Sequence, residues 1–328
     1  MATMPNYRWG IIGPGHIAEN FCQQFPAGQT LYGVASAHSP EKGQAFAQKF
    51  QIPHVYADHA ALLADPAIDV VYIATTNNVH FENIRAALLA GKHVLAEKPV
   101  TLNTAQLRTL MALADQRHLI LMEAQTIYHM PLYDELAAQV RQRQLGRLRS
   151  LHASFGLHTL PDNPTGRLLN PQLGGGGLLD MGIYALSFAR RLMTAAPQLE
   201  KTVMVPTATG VDDISATVIA NAHHELGTFT FNLVPNAPEI GYAVYDRGYF
   251  IVDHYLRPEQ AIFVDGATEE QSVIRAGHTD QAMGYEVTAM GHAIATGENP
   301  TQAWTLDTMT LMTAMRAAWG LKYPEERD

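Results

Sequence analysis

Among its 328 residues the chain has a single cysteine, Cys22, so no internal disulfide can form. No Cys-x-x-Cys pair is present for a zinc or redox site either, and a reducing, cytoplasmic compartment is expected. Positive charge is scarce. Lys and Arg total 22 against 31 Asp and Glu, giving a formal charge of −9 with the 15 histidines neutral. That balance lacks the basic face with which a nucleic-acid binder neutralises phosphates, and it argues equally against an anionic membrane surface. No run approaches the roughly 18 consecutive apolar residues of a membrane span. Met1–Arg8 is short and polar, without the apolar core of a signal peptide. There is no H-E-x-x-H, G-x-S-x-G or Walker loop, and His223-His224-Glu225 reads as a hairpin turn. Metal, hydrolase and phosphotransferase chemistry therefore find no support in the motifs.

What the chain does have is a large potential core: 47% of its residues are hydrophobic and 16% charged, in a length that suits about two domains. Over the first 125 residues, short apolar runs alternate with helical spacing, the mark of a parallel sheet with crossover helices. Strands are expected at Trp9–Ile12, Leu31–Ser36, Val55–Tyr56, Val70–Ala74, His93–Ala96 and Leu119–Glu123, with helices between them. This is the order of a doubly wound, Rossmann-type α/β domain spanning residues 1–125. From 126 to 328 the pattern changes to an α+β domain. Period-two runs such as Ser215–Ala220, Gly227–Leu233, Ile240–Tyr245 and Tyr249–His254 predict a large, mainly antiparallel open sheet with one face free to meet a partner. Thr159–Gly177 reads as a long functional loop, Leu178–Leu192 as one helix, and the C-terminal helices as able to pack back on the first domain.

The turn after the first strand, Gly13-Pro14-Gly15-His16-Ile17-Ala18, fits G-x-G-x-x-A. Gly13 would permit the tight turn and Gly15 a close approach of backbone to a pyrophosphate. Ala18 would let helix pack on strand, and the helix opened by His16 and Ile17 would attract the phosphate charge. At the end of the second strand stands Ser36-Ala37-His38-Ser39, with no acid before Glu41. An NAD-specific site usually places a carboxylate there. Its absence, with Ser36, His38, Ser39 and Lys42 nearby, tilts the reading from NAD toward NADP.

Two further motifs stand out. Glu97-Lys98-Pro99 ends the strand His93–Ala96, on the edge where open α/β sheets bind ligands; alone it is as readily a solvated surface charge. Gly174-Gly175-Gly176-Gly177-Leu178-Leu179-Asp180-Met181-Gly182-Ile183-Tyr184 combines four glycines with an acid and a phenol four residues apart on one helix face. Together they resemble the Gfo/Idh/MocA oxidoreductase family, over essentially the whole chain. The tyrosine form, with Met122-Glu123-Ala124 upstream and Gly210-Val211-Asp212-Asp213 downstream, resembles its dimeric dihydrodiol dehydrogenase and NADP-dependent D-xylose dehydrogenase branch.

The resemblance implies that Lys98 and Tyr184 form the catalytic pair, that Asp180 meets a substrate hydroxyl, and that the Lys98–Pro99 peptide is cis. It places Thr75-Thr76-Asn77-Asn78-Val79-His80 on the nicotinamide side, so that Thr75, Thr76, Asn77, His80, Glu97 and Lys98 join Gly13, Gly15, His16, Ile17, Ser36 and His38 as cofactor candidates. His80 either lines the substrate pocket or starts the next helix. Gln125-Thr126-Ile127-Tyr128-His129 replaces a segment that often carries Trp and Arg in that branch, which makes Gln125 a substrate candidate. Arg167 is a candidate for cofactor or substrate, with a solvated loop arginine as the alternative.

The chemistry is reasonable on its own terms. Alcohol oxidation removes a hydroxyl proton as hydride leaves carbon. A phenol, ionising near pH ~10 in water, becomes a useful base where a neighbouring cation favours phenolate; Lys98 can supply that cation to Tyr184, or can itself transfer the proton with Tyr184 orienting the substrate. The expectation is an NAD(P)-dependent oxidoreductase acting on a sugar, polyol or diol, and a homodimer or homotetramer through the second-domain sheet. The alternative is a catalytically silent NAD(P) sensor on the same scaffold.

Overall fold

In the computed structural model, residues 5–36, 39–157 and 163–326 are described, and they divide into two compact units. Unit 1 comprises the chain through Ala124 together with Asp280–Ala303. Its chain path is β1 (Arg8–Ile12), α1 (His16–Gln23), β2 (Thr30–Ala35), α2 (Pro40–Phe50), β3 (His54–Tyr56), α3 (His59–Ala64) and β4 (Val70–Ile73). It continues through α4 (His80–Leu89), β5 (His93–Glu97), α5 (Thr104–Gln116) and β6 (Leu121–Ala124). The strands form one sheet in the order β3-β2-β1-β4-β5-β6, every pair parallel. This is the doubly wound sheet expected from the sequence. β4 is buried at all four positions, as a strand covered on both faces must be.

Helix starts are chemically marked. The side chains of Ser39, Asp58 and Asn103 accept from the backbone N–H groups of Lys42, Ala61 and Gln106, satisfying donors that lack a partner in the helix itself.

Unit 2 holds Gln125–Thr279 and the chain from Trp304. It opens with α6 (Thr126–His129) and α7 (Pro131–Gln142), then β7 (Leu148–Gly156), a single π-helical turn (Leu178–Gly182) and α8 (Ile183–Leu192). Seven strands follow: β8 (Pro197–Pro206), β9 (Asp212–Asn221), β10 (Leu226–Asn232), β11 (Ala237–Tyr245), β12 (Gly248–Asp253), β13 (Gln260–Asp265) and β14 (Gln271–Arg275). The sheet runs β14-β13-β12-β11-β7-β10-β9-β8 and is antiparallel except where β7 meets β10 in parallel. One face is buried by Phe229, Phe231, Phe250 and Phe263.

The run Leu178–Leu192 is helical as expected, with a first turn that is π and α geometry over Ile183–Leu192. The described part of the loop Thr159–Gly177 contains one 3₁₀ turn, Pro171–Leu173, capped by the Asn170 side chain, while residues 158–162 lie outside the described part.

Helix α9 (Ala282–Thr296) returns to unit 1, whereas α10 (Gln302–Trp319) belongs to unit 2 apart from its first two residues. α9 presents Met283, Val287, Met290 and Ala293 to a core shared with Trp9, Phe21 and Tyr72. There Phe21 and Tyr72 stack at 3.8 Å. Among the described residues, no helix is long and apolar enough to cross a membrane. Met290 is fully buried, so Met290→Ala is expected to cost about 2–5 kcal/mol, read as a lower denaturant midpoint.

Candidate active site

The sheet of unit 1 aims its strand ends at one edge, and the candidates lie along it. After β1, Gly13 has φ +90, and a Cβ there would come within 2.8 Å of the Ala74 carbonyl oxygen. Gly15 differs, because a Cβ added to it would meet nothing within 4 Å. Its backbone is extended, and it caps α1 with no side-chain hydrogen bond. Packing within the protein thus explains glycine at 13 but not at 15. Open space before the bare amides of a helix start fits a phosphate-bearing cofactor. His16 is exposed and Ile17 half-buried in the first turn of α1, and Ser36 is half-buried after β2. His38 lies outside the described residues.

After β4, the Thr75 hydroxyl accepts from the Asn83 amide at 3.2 Å and Thr76 donates to the Asn78 side chain at 2.7 Å. Asn77 is 6% exposed. His80 is fully buried at the start of α4, its Nδ1 2.8 Å from the Pro99 carbonyl oxygen and its Nε2 3.0 Å from that of Thr75. Burial lowers its pKa, with the two carbonyl contacts acting in the opposite direction. Both ring nitrogens are thereby engaged by backbone. Of the two readings of His80, the structure has it at the start of α4, where it staples the loop after β4 to the turn after β5.

That turn carries Lys98, half-buried, on a cis peptide bond to Pro99. The buried Glu97 carboxylate accepts from the Tyr72 hydroxyl at 2.5 Å. The Val100 amide donates to buried Glu123 at 3.0 Å. Sequence reasoning missed Tyr72 as a partner in this turn, since its position in an apolar strand gives no sign of one.

In unit 2, Asp180 and Tyr184 are partly exposed, whereas Leu179, Met181, Ile183 and Ala185 around them are buried. The acid and the phenol are therefore the groups this stretch keeps accessible. Arg167 Nη1 lies 3.0 Å from Asp180 Oδ1, with the arginine side chain 47% exposed. The pairing joins two residues that the sequence singled out separately.

The preceding glycines are explained by crowding. A Cβ at Gly175 would press on the carbonyl oxygens of Arg167 and Leu168, and one at Gly176, where φ is +122, would strike the Asp212 carboxylate. Asp212 is fully buried, and its Oδ2 accepts from the Leu178 amide at 2.5 Å. Burial raises its pKa to about 6, against the opposing influence of that amide and of Arg316. Gln125, the residue after β6, is completely buried, yet neither of its amide atoms has a hydrogen-bond partner among the described residues. Buried amides are rarely left so, and an absent polar ligand is a ready explanation. The hairpin reading of His223–Glu225 holds, with His224 at φ +60 between β9 and β10. Glu225 turns inward to accept from the Thr194 amide and hydroxyl.

A parallel sheet with a glycine turn shaped for a dinucleotide, and a second unit presenting an acid and a phenol, define the class as a two-unit nucleotide-dependent oxidoreductase. Comparison with known proteins makes this specific. Residues 7–125 match the family described as an oxidoreductase family with an NAD-binding Rossmann fold, and residues 133–248 match the GFO/IDH/MocA C-terminal domain. The chain belongs to the Gfo/Idh/MocA oxidoreductase family. It is 32% identical to mouse trans-1,2-dihydrobenzene-1,2-diol dehydrogenase over 80% of this chain and 79% of that protein. It is 30% identical to D-xylose 1-dehydrogenase (NADP(+)) of Hypocrea jecorina, over 66% of this chain and 62% of that one. Among solved structures, a 3-ketoreductase from Actinomadura kijaniata in complex with NADP and TDP-benzene superposes with a TM-score of 0.85. It is 25% identical and covers 95% of this chain and 97% of its own.

The two glycines of the first turn should respond differently to alanine. Gly15→Ala is expected to leave unfolding free energy unchanged or raised by about 0.4–1 kcal/mol while weakening nicotinamide-cofactor binding at least tenfold. Gly13→Ala should destabilise the fold itself, and denaturant unfolding beside a fluorescence titration of reduced cofactor reads both. A second expectation concerns Asp212. A carboxyl whose folded pKa is raised stabilises fully below its unfolded value and less as pH rises through the folded one. From the shift of 3.8 to about 6, the wild type minus Asp212→Asn difference in unfolding free energy should favour the wild type most below pH 4. It should fall by roughly 3 kcal/mol by pH 7, as denaturant curves across that range will report.

Proposed function

We propose that this NAD(P)-dependent oxidoreductase interconverts a secondary alcohol and a carbonyl on a diol, sugar or polyol, with Lys98 and Tyr184 as its catalytic pair. The observation that carries the reading is the accessible Asp180–Tyr184 pair on a glycine run held by buried contacts, in a chain whose first unit ends β5 in Lys98. The names of the relatives support the substrate class: a dihydrobenzenediol dehydrogenase, a D-xylose 1-dehydrogenase and a 3-ketoreductase all act on a hydroxyl or a carbonyl of this kind.

Gly13, Gly15, His16 and Ile17 would hold the pyrophosphate, and Ser36 with Ser39 and Lys42 the adenosine ribose. Thr75, Thr76, Asn77 and Glu97 would serve the nicotinamide end. The absence of an acid between Ser36 and Glu41 favours NADP over NAD, since no carboxylate repels a 2′-phosphate. When bound, the nicotinamide supplies or accepts the hydride. In oxidation the Tyr184 phenol takes the proton of the reacting hydroxyl; in reduction it donates one to the carbonyl oxygen. The Lys98 ammonium favours the phenolate and the developing alkoxide. Asp180, paired with Arg167, accepts from a neighbouring substrate hydroxyl, and the Gln125 amide offers a donor and an acceptor to another.

We propose further that the enzyme acts in the cytoplasm as a homodimer or homotetramer through the open face of the unit 2 sheet. Val203 (58%) and Val205 (55%) on the edge strand β8 and Val273 (51%) on the opposite edge strand β14 are exposed.

Absorbance of reduced nicotinamide, followed with trans-dihydrodiols, pyranoses and polyols against both cofactors, tests the reading. Tyr184→Phe and Lys98→Met should each lower kcat by about 10²–10⁴-fold, and Tyr184→Phe should leave cofactor affinity within twofold. A parent protein that binds NADP but turns over nothing on that panel would instead be a sensor.

A further inference from the structure

The glycine run before Asp180 is fastened from two distant parts of the chain. Asp212, the first residue of β9, takes the Leu178 amide at the start of the π turn. An amide there has no acceptor within the helix. From the C-terminal segment, the hydroxyl of fully buried Tyr323 donates to the Gly175 carbonyl oxygen at 2.5 Å. Tyr323 is itself fixed. Its amide donates to Glu326 at 3.1 Å, Glu326 accepts twice from Arg316 of α10 at 2.5 and 2.8 Å, and the guanidinium lies 4.9 Å from the Tyr323 ring centroid. Gly176 and Gly177 pass over the Asp212 carboxylate so closely that a Cβ on Gly177 would sit 3.2 Å from Oδ2.

We infer that Asp212 and Tyr323 are positioning residues that act through Asp180 and Tyr184, by clamping the backbone from which the π turn departs. The inference rests on the proposed roles of those two groups. Three observations separate this clamp from ordinary packing. Both bonds are made to backbone atoms of the residues that immediately precede the acid–phenol pair. The turn they restrain is π, a rare arrangement that is frequent at functional sites. Finally, Asp212 keeps its other oxygen, Oδ1, without a partner among the described residues. The charged and titratable groups that act on it are Arg316, which favours its charge, and Asp213, which opposes it. Tyr323 is coupled to it as well. A buried carboxylate so incompletely served is retained at a cost in stability, the trade expected where function rather than folding selects the residue.

The test uses the full-length protein with trans-1,2-dihydrobenzene-1,2-diol and NADP, and amide hydrogen exchange, which needs no turnover. Asp212→Asn and Tyr323→Phe are expected to speed exchange over residues 176–184, leave NADP affinity unchanged and lower kcat about tenfold. For Asp212→Asn this should come with no loss of thermal midpoint at pH 7. In an Asp180→Asn/Tyr184→Phe background the same substitutions should cost nothing further in kcat, because both groups they position are gone. Unchanged exchange over 176–184 overturns the inference whatever the kinetics. So does an equal loss of kcat in both backgrounds, which marks a general structural role. Should Asp212→Asn fail to fold, Tyr323→Phe and Glu326→Gln carry the same cycle. A Tyr184→Phe enzyme that keeps full activity would defeat the proposed mechanism instead, a result separable from loss of the clamp.

Discussion

A parallel sheet cannot scatter its strand ends. Every crossover helix returns the chain to the same starting edge, so all the carboxyl ends fall together, and whatever side chains follow the strands are collected there. In unit 1 the glycine turn follows β1, Ser36 follows β2, Thr75–Asn77 follow β4 and Lys98 follows β5. Residues nearly ninety positions apart in sequence become neighbours along one edge without any dedicated contact between them. The edge is then stiffened by buried polar bonds rather than by apolar packing alone. His80 engages two carbonyl oxygens, Glu123 takes the Val100 amide, and Tyr72 donates to Glu97. Such bonds add modestly to stability but fix geometry, because a buried polar group left without its partner is expensive.

Unit 2 solves a different problem. Its sheet is mainly antiparallel, with β7 inserted between the distant strands β11 and β10, yet the segment that matters for chemistry is a glycine run with little conformational preference of its own. Order is imposed from outside, by a carboxylate on β9 and a phenol near the C-terminus. The glycines are then required in turn, since any side chain at 175 or 176 would collide with backbone or with that carboxylate. The family's glycine run is thus as much a packing consequence as a provision for ligand. Gly15 of unit 1 presents the contrasting case, since a Cβ there would meet nothing within 4 Å.

Much of this was legible from the residues. Burial on both faces makes Val70–Ile73 a continuous apolar run, and period-two alternation exposes β9 to β12. The catalytic candidates could be named because Glu97-Lys98-Pro99 and the glycine–Asp180–Tyr184 run are compact in sequence. What escaped depends on distance along the chain. The strand Pro197–Pro206 escaped because prolines bound it and charged residues interrupt its alternation. The parallel β7–β10 pairing joins strands about seventy residues apart, which local periodicity cannot register. The π turn depends on an acceptor 34 residues downstream. For His80 the residues left a pocket role and a helix start equally open, since burial against two carbonyls has no sequence signature, and Tyr323 gave no signal at all.

The account stands or falls on whether the proton of the reacting hydroxyl passes through a phenol. Replacing Tyr184 by fluorinated tyrosines of graded acidity leaves its shape nearly unchanged while making its hydroxyl a stronger acid. The pH dependence of kcat for alcohol oxidation, measured across that series with saturating NADP, should shift to lower pH in step with the acidity of the substituted phenol. A profile that stays in place along the whole series would show that another group carries the proton, and the assignment to Tyr184 would be wrong.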